Sequence, residues 1–150
     1  EKEIIHIVKT AAMIHDIGKI NIPSSILSKP TELTDIELLM IKMHPNNAYE
    51  ILKNVDFPWP IAKIVYQHHE RLDGSGYPIG ISGDRIMLES MIVAVADVVE
   101  AMSTHRPYRP AHSIEEAIEE ISKNKGILYD EKVVESCIRV LKGKDFRFVE

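Results

Sequence analysis

Asp97 stands inside Met91-Ile92-Val93-Ala94-Val95-Ala96-Asp97-Val98-Val99, a run whose every other side chain is apolar. The segment Met87 to Met102 reads as a strongly apolar helix, so whatever fold forms must press it against a core. An ionised carboxylate in that setting, left alone, costs several kcal/mol. The sequence must therefore supply Asp97 with a partner. An arginine in the core is one solution, and cations held jointly with other ligands are another.

The remaining segments repeat the helical pattern. Ile4, Ile5, Val8, Ala11, Ala12 and Ile14 recur at helical spacing and predict a helix ending at Gly18. Residues 21–33 contain Pro23 and Pro30 and read as a connecting loop. Thr34 followed by Glu37 is a capping-box pattern that starts a second helix, which Pro45 should kink or interrupt before it resumes from Asn46 through Lys53. After Pro58 and Pro60, Ile61 to His69 predict a short helix. Residues 71–86 hold four of the seven glycines and form a long loop. Ser113 with Glu116 opens another helix, and Asp130 caps a last one running to about Leu141. No β-alternation or repeat is present. The chain reads as one all-α domain spanning residues 1–150.

The bulk numbers exclude several classes. A net charge of −5 gives no reason to expect a nucleic-acid polymer as partner. No apolar run approaches the roughly 20 residues of a membrane span, so direct insertion is not expected. Cys137 is the single cysteine, which excludes an internal disulfide and fits a reducing, cytoplasmic compartment. Its helical spacing suits core packing, and no basic cluster adjoins it to activate a thiolate.

Four of the seven histidines occupy unusual settings. His15-Asp16 ends the first apolar helix, His68-His69 ends another, and His44 lies in the helix between them. Taken singly, each has an ordinary explanation: His44 as a surface or capping residue, His68-His69 as an exposed pair, Asp97 in an ion pair with a core arginine. Taken together with Asp16 and Asp97, they form a nitrogen and oxygen donor set suited to iron, manganese or zinc, without a competing thiolate. Paired metals can share a bridging carboxylate. His6, His105 and His112 have no such context and are left structural or exposed. Arg71 and Arg85 read as surface charges.

These residues lie in recognisable strings. His15-Asp16-Ile17-Gly18-Lys19 resembles the HD signature of metal-dependent phosphohydrolases. His68-His69-Glu70-Arg71-Leu72-Asp73-Gly74-Ser75-Gly76-Tyr77-Pro78 resembles the second signature of the HD-GYP family. The likeness continues through Val95-Ala96-Asp97 and Arg106-Pro107-Tyr108-Arg109-Pro110, from about Thr10 to Val134. It implies an HD-domain-like helical bundle with a glycine-rich GYP loop. It further implies a phosphodiesterase that hydrolyses cyclic di-GMP to pGpG, to GMP, or to both.

The resemblance also assigns roles. His15, Asp16 and Asp97 match the ligands of the HD superfamily, with Asp16 bridging two metals, and His44, His68 and His69 match the additional ligands. Two or three divalent ions are implied, iron or manganese foremost. Lys19 matches a lysine placed at the scissile phosphate or beside the metals, so Lys19 and Asp16 are the catalytic candidates. Lys19, Tyr77, Arg106 and Arg109 match residues expected to contact the cyclic dinucleotide. Arginine's planar fork suits phosphate or guanine. Attached sensory or receiver domains and a GGDEF-domain partner are expected on the same basis. Two other readings stand beside this one: hydrolysis of a different cyclic dinucleotide, such as cyclic GMP–AMP, and a non-catalytic domain that keeps its metals for sensing.

One departure bears on activity. The family carries a further metal-binding histidine on a helix upstream of the HD pair, whereas this chain begins fourteen residues before His15. The expectation is an N-terminally incomplete domain whose activity alone is open. His105 stands where family members often carry an acidic residue.

Overall fold

The computed structural model describes residues 2–104, 111–143 and 146. Helices follow in the order α1 (Lys2–Ile14), α2 (Ser24–Leu27), α3 (Asp35–Lys42), α4 (His44–Leu52), α5 (Ile61–Tyr66), α6 (Leu88–Ser103), α7 (Ile114–Lys123) and α8 (Glu131–Leu141). Short 3-10 turns occupy Ile17–Asn21 and Gly83–Arg85. Apart from an isolated bridge between Lys125 and Tyr129, no β-pairing occurs among the described residues, so the fold is all-α. None of these helices is long and apolar enough to cross a membrane.

The helix that carries Asp97 is shared by two apolar clusters. Val93 packs with Ile7 and Ala11 of α1, Ala48 and Leu52 of α4, and Ile61, Ile64 and Val65 of α5. Val95 and Val99 pack with Ala117 and Ile121 of α7 and Val133 and Val134 of α8. Residues four apart share a helix face, whereas residues two apart point nearly opposite ways. Asp97 therefore emerges on the side of Val93, toward α1 and α5. Each fully buried branched side chain contributes roughly 1.5–3 kcal/mol. Apolar burial thus holds the histidine-bearing elements in place independently of any bond within the site. Cys137 is half-buried against the second cluster, as its spacing suggests.

Local signals behave as expected at most boundaries. Thr34 with Glu37, and Ser113 with Glu116, form complete capping boxes, and the Asp130 carboxylate accepts the Val133 N–H. Pro45 divides two helices: α3 stops at Lys42, and α4 restarts at His44 with the proline in its first turn, where no amide donor is needed. Residues 21–33 contain a four-residue helix as well as a loop.

Two helices end earlier than their periodicity suggests. α1 stops at Ile14, and the chain tightens through Asp16 into the 3-10 turn. α5 stops at Tyr66, and the buried Gln67 side chain accepts the Met87 N–H. The HD and HH pairs therefore sit just beyond helix ends. In an α-helix His68 and His69 would diverge by about 100°. Released from it, their ring centroids lie 4.0 Å apart.

Gly18 makes the closest backbone approach in this arrangement. A Cβ there would meet the His44 carbonyl oxygen at 2.0 Å and the Ala48 nitrogen at 2.5 Å. The turn after the HD pair thus lies directly on the first turn of α4. We predict that Gly18→Ala destabilises the protein by about 1–3 kcal/mol, measured by denaturant unfolding, because backbone must move to admit the methyl group.

Candidate metal centre

The six residues singled out in the sequence converge where α1 ends, α4 begins, α5 has just ended and α6 passes. His15 Nε2 lies 3.4 Å from Asp97 Oδ1 and 3.6 Å from Asp16 Oδ2. His44 Nε2 lies 3.5 Å from Asp16 Oδ1 and 3.3 Å from His68 Nε2. Two groups of donor atoms result, each within 4.8 Å of one another: His44, His68 and His69, and His15, His68 and Asp97. His68 belongs to both, and the two carboxylate oxygens of Asp16 reach one histidine of each. His44 and His68 are almost fully buried, which removes the surface explanation for either. Among the described residues, Asp97 contacts His15 and pairs with no arginine.

Three rings are held in the same way. His15, His44 and His68 each bring Nδ1 to the backbone carbonyl three residues earlier, of Ala12, Ile41 and Val65, at 2.7, 2.8 and 2.5 Å. A carbonyl only accepts, so Nδ1 carries the proton and a neutral ring presents an unprotonated Nε2 to the centre. The Nε2 lone pairs of His44 and His68 therefore face each other. That arrangement is unfavourable unless a positive charge lies between them; at His15, whose Nε2 meets two carboxylates, a ring proton or a bound cation supplies that charge. The donor set fits divalent cations.

The acid–base properties follow. Burial is the main cause that lowers His44, His68 and His69; His68 falls to about 4, with His15 and His44 adding to the effect, and His69 to about 2. All three are neutral imidazoles, not imidazolium ions, at neutral pH. Burial also acts downward on His15, but Asp97, the Ala12 carbonyl and Asp16 outweigh it and raise the ring. Burial alone would raise Asp97; the His15 contact and the fields of the three nearby histidines reverse this and hold the carboxyl well below its ordinary range. Asp97 is ionised.

Lys19 Nζ meets Asp16 Oδ2 at 2.5 Å, which places an ammonium at the open edge of the centre. Tyr77 stacks on His69 with ring centroids 4.7 Å apart, and burial raises its hydroxyl to about 12, so it stays protonated. Arg106, Arg109 and His105 lie outside the described residues. His6 packs edge-on to Trp59, and His112 faces Glu116 at 3.4 Å, both apart from the six converging residues.

Glu70 is the contributor that residue-by-residue reading missed. Its buried carboxylate accepts the N–H groups of Ile79, Gly80 and Ile81 at 2.7, 3.2 and 3.0 Å. The GYP loop is thereby clasped onto the residue next to His69, and the Tyr77 N–H bonds the His69 carbonyl at 3.2 Å. Gly76 permits this closeness, since a Cβ there would stand 2.4 Å from the Arg71 nitrogen. Arg71 is likewise engaged, donating to the Glu70 carbonyl at 2.9 Å and lying over the Tyr129 ring. The available signal was a carboxylate directly after a buried histidine pair and before a glycine-rich loop of donors.

Residues 1–133 match the family model described as HD domain. The cyclic di-GMP phosphodiesterase response regulator RpfG of Xanthomonas campestris is 43% identical over 140 residues, covering 92% of this chain and 37% of that protein. A cyclic di-GMP phosphodiesterase of Thermotoga maritima is 43% identical over 137 residues, covering 90% and 37%. The 3'3'-cGAMP-specific phosphodiesterase 3 of Vibrio cholerae is 38% identical over 116 residues, covering 77% and 25%. The chain thus spans little more than a third of the length of the first two relatives. Bd1817, a HDG"Y"P protein from Bdellovibrio bacteriovorus, shares the fold at a TM-score of 0.73 and 19% identity, over 91% of this chain and 44% of that one. The chain belongs to the HD-domain family, among its HD-GYP members.

Glu70 gives this subsection its test. Glu70→Gln turns one acceptor oxygen into a donor facing backbone donors. We predict a cost of about 1–3 kcal/mol and faster hydrogen exchange at residues 79–81 than elsewhere in the fold.

Proposed function

We propose that this chain is the phosphodiesterase unit of a bacterial signalling protein and that it hydrolyses cyclic di-GMP to pGpG, to GMP, or to both. The observation that carries the reading is the opposed pair of imidazole lone pairs, His44 and His68, flanked by Asp16 and Asp97. The relatives named as cyclic di-GMP phosphodiesterases support the choice of substrate.

In this reading His15, Asp16 and Asp97 would hold one divalent ion, and His44, His68 and His69 would hold a second. Ions of iron or manganese, when bound, supply activation of the attacking water and neutralise charge on the phosphoryl oxygens. The chain's own residues do the rest. The Nδ1–carbonyl bonds keep three rings aimed without rearrangement during turnover. The water oxygen bonds to phosphorus, the bond from phosphorus to the 3′ oxygen breaks, and the departing oxygen takes up a proton. Lys19 is placed beside Asp16 to meet a non-bridging phosphoryl oxygen, whose negative charge grows during attack. Tyr77, stacked on His69, is placed to contact the cyclic dinucleotide. Arg106 and Arg109 are proposed as phosphate or guanine contacts through their planar forks.

A second reading, cleavage of cyclic GMP–AMP, is supported by the Vibrio relative named as specific for 3'3'-cGAMP. On the same footing stand an attached receiver or sensory domain, which the response-regulator name of the Xanthomonas relative supports, and a GGDEF-domain partner. The proposed compartment is the cytoplasm, since the one cysteine fits a reducing environment.

The test uses metal-loaded protein offered both dinucleotides, with products resolved by chromatography. The expected result is preferential conversion of cyclic di-GMP, reduced about a hundredfold or more in Asp97→Ala. Intact cyclic di-GMP, or turnover indifferent to Asp97→Ala, would overturn the assignment.

A further inference from the structure

A cyclic dinucleotide carries two phosphates, and the residues considered so far deal mainly with the one being cut. Lys19 is already committed to Asp16. Lys42, at the end of α3, holds its Nζ 5.5 Å from the centroid of the Tyr77 ring. Lys42 is exposed and forms no ion pair among the described residues. A cation within about 6 Å of an aromatic face is attracted to it, which biases the lysine toward one position. That position lies beside His44, two residues along the chain, and above a ring that itself rests on His69.

We propose that Lys42 binds the non-scissile phosphate of the cyclic dinucleotide, an inference that rests on the phosphodiesterase reading and deepens it. The chain of contacts runs from His69 to Tyr77 to the Lys42 ammonium, so the ring that rests on His69 also sets the position of the cation. A solvated lysine elsewhere on the surface would attract the ligand only through a screened field. The Lys42 ammonium lies 5.5 Å from the centroid of the Tyr77 ring, which itself lies 4.7 Å from that of His69, so it flanks the centre rather than entering it. Its contribution is to binding of the ring-shaped substrate and not to bond cleavage.

Two substrates separate these roles. Cyclic di-GMP has the second phosphate; bis(p-nitrophenyl) phosphate, a single phosphodiester, does not. In metal-loaded protein, Lys42→Met should lower the ratio of kcat/KM for cyclic di-GMP to that for bis(p-nitrophenyl) phosphate about tenfold, through KM, and Lys42→Arg should restore most of it. Calorimetric affinity for cyclic di-GMP should fall by the same factor, a readout that decides the matter even for a chain that binds without turnover. A ratio and affinity that do not change overturn the proposal. So does a proportional loss on both substrates, which would mean that Lys42 supports the centre itself. Failure of the wild-type protein to cleave cyclic di-GMP, with Lys42-dependent binding retained, would count against the enzymatic reading alone.

Discussion

Two nitrogen lone pairs pointing at each other across 3.3 Å are the constraint around which this site is organised. His44 and His68 cannot turn their proton-bearing edges toward the gap, because each Nδ1 is engaged by a backbone carbonyl. Both rings are buried, so water cannot screen the repulsion cheaply. Burial also makes protonating them costly, which is why His68 is pushed down to about 4. What remains is a concentration of fixed acceptors, joined by two carboxylates, that is complementary to small multivalent cations.

The fold meets that electrostatic demand with apolar packing. α1, α4 and α5 gather on one side of α6 through Ile7, Leu52, Ile64 and Val93, and the chemistry-bearing residues are set at the ends of those helices. Chain termini of helices are where backbone can turn sharply. Asp16 and His68-His69 exploit this, as does His44 in the first turn of its helix. Gly18 and Gly76 let two backbone segments approach closer than any side chain would allow, one bringing the HD turn onto α4 and one bringing the GYP loop onto His69. Glu70 then locks the loop with three backbone donors. The positions of the converging donors are thus determined by helix packing, and that of the GYP loop by a carboxylate clasp.

Much of this was legible from residue types alone. A carboxylate in the Met91–Val99 run demanded partners, and the histidines offered them. Capping boxes at Thr34 and Ser113, the cap at Asp130 and the division at Pro45 are local, and local chemistry governs them. The ends of α1 and α5 were not legible, because their apolar periodicity continues past the point where tertiary contacts stop the helix. For α5 the decisive bond, from the Met87 amide to Gln67, joins residues twenty apart. Arg71 and Glu70 were unreadable for the same reason: their partners are backbone groups brought near only by the fold. The tyrosine of the loop was visible as a motif letter, whereas its stacking on His69 was not.

The central claim is that the six converging side chains bind metal ions. Crystals of the protein prepared without oxygen and soaked in manganese would test it through anomalous scattering. Two peaks within coordination distance of His15, Asp16, His44, His68, His69 and Asp97, with Asp16 reaching both, are predicted. Peaks only at exposed acidic residues, with the His44 and His68 rings still facing each other across an empty gap, would contradict it.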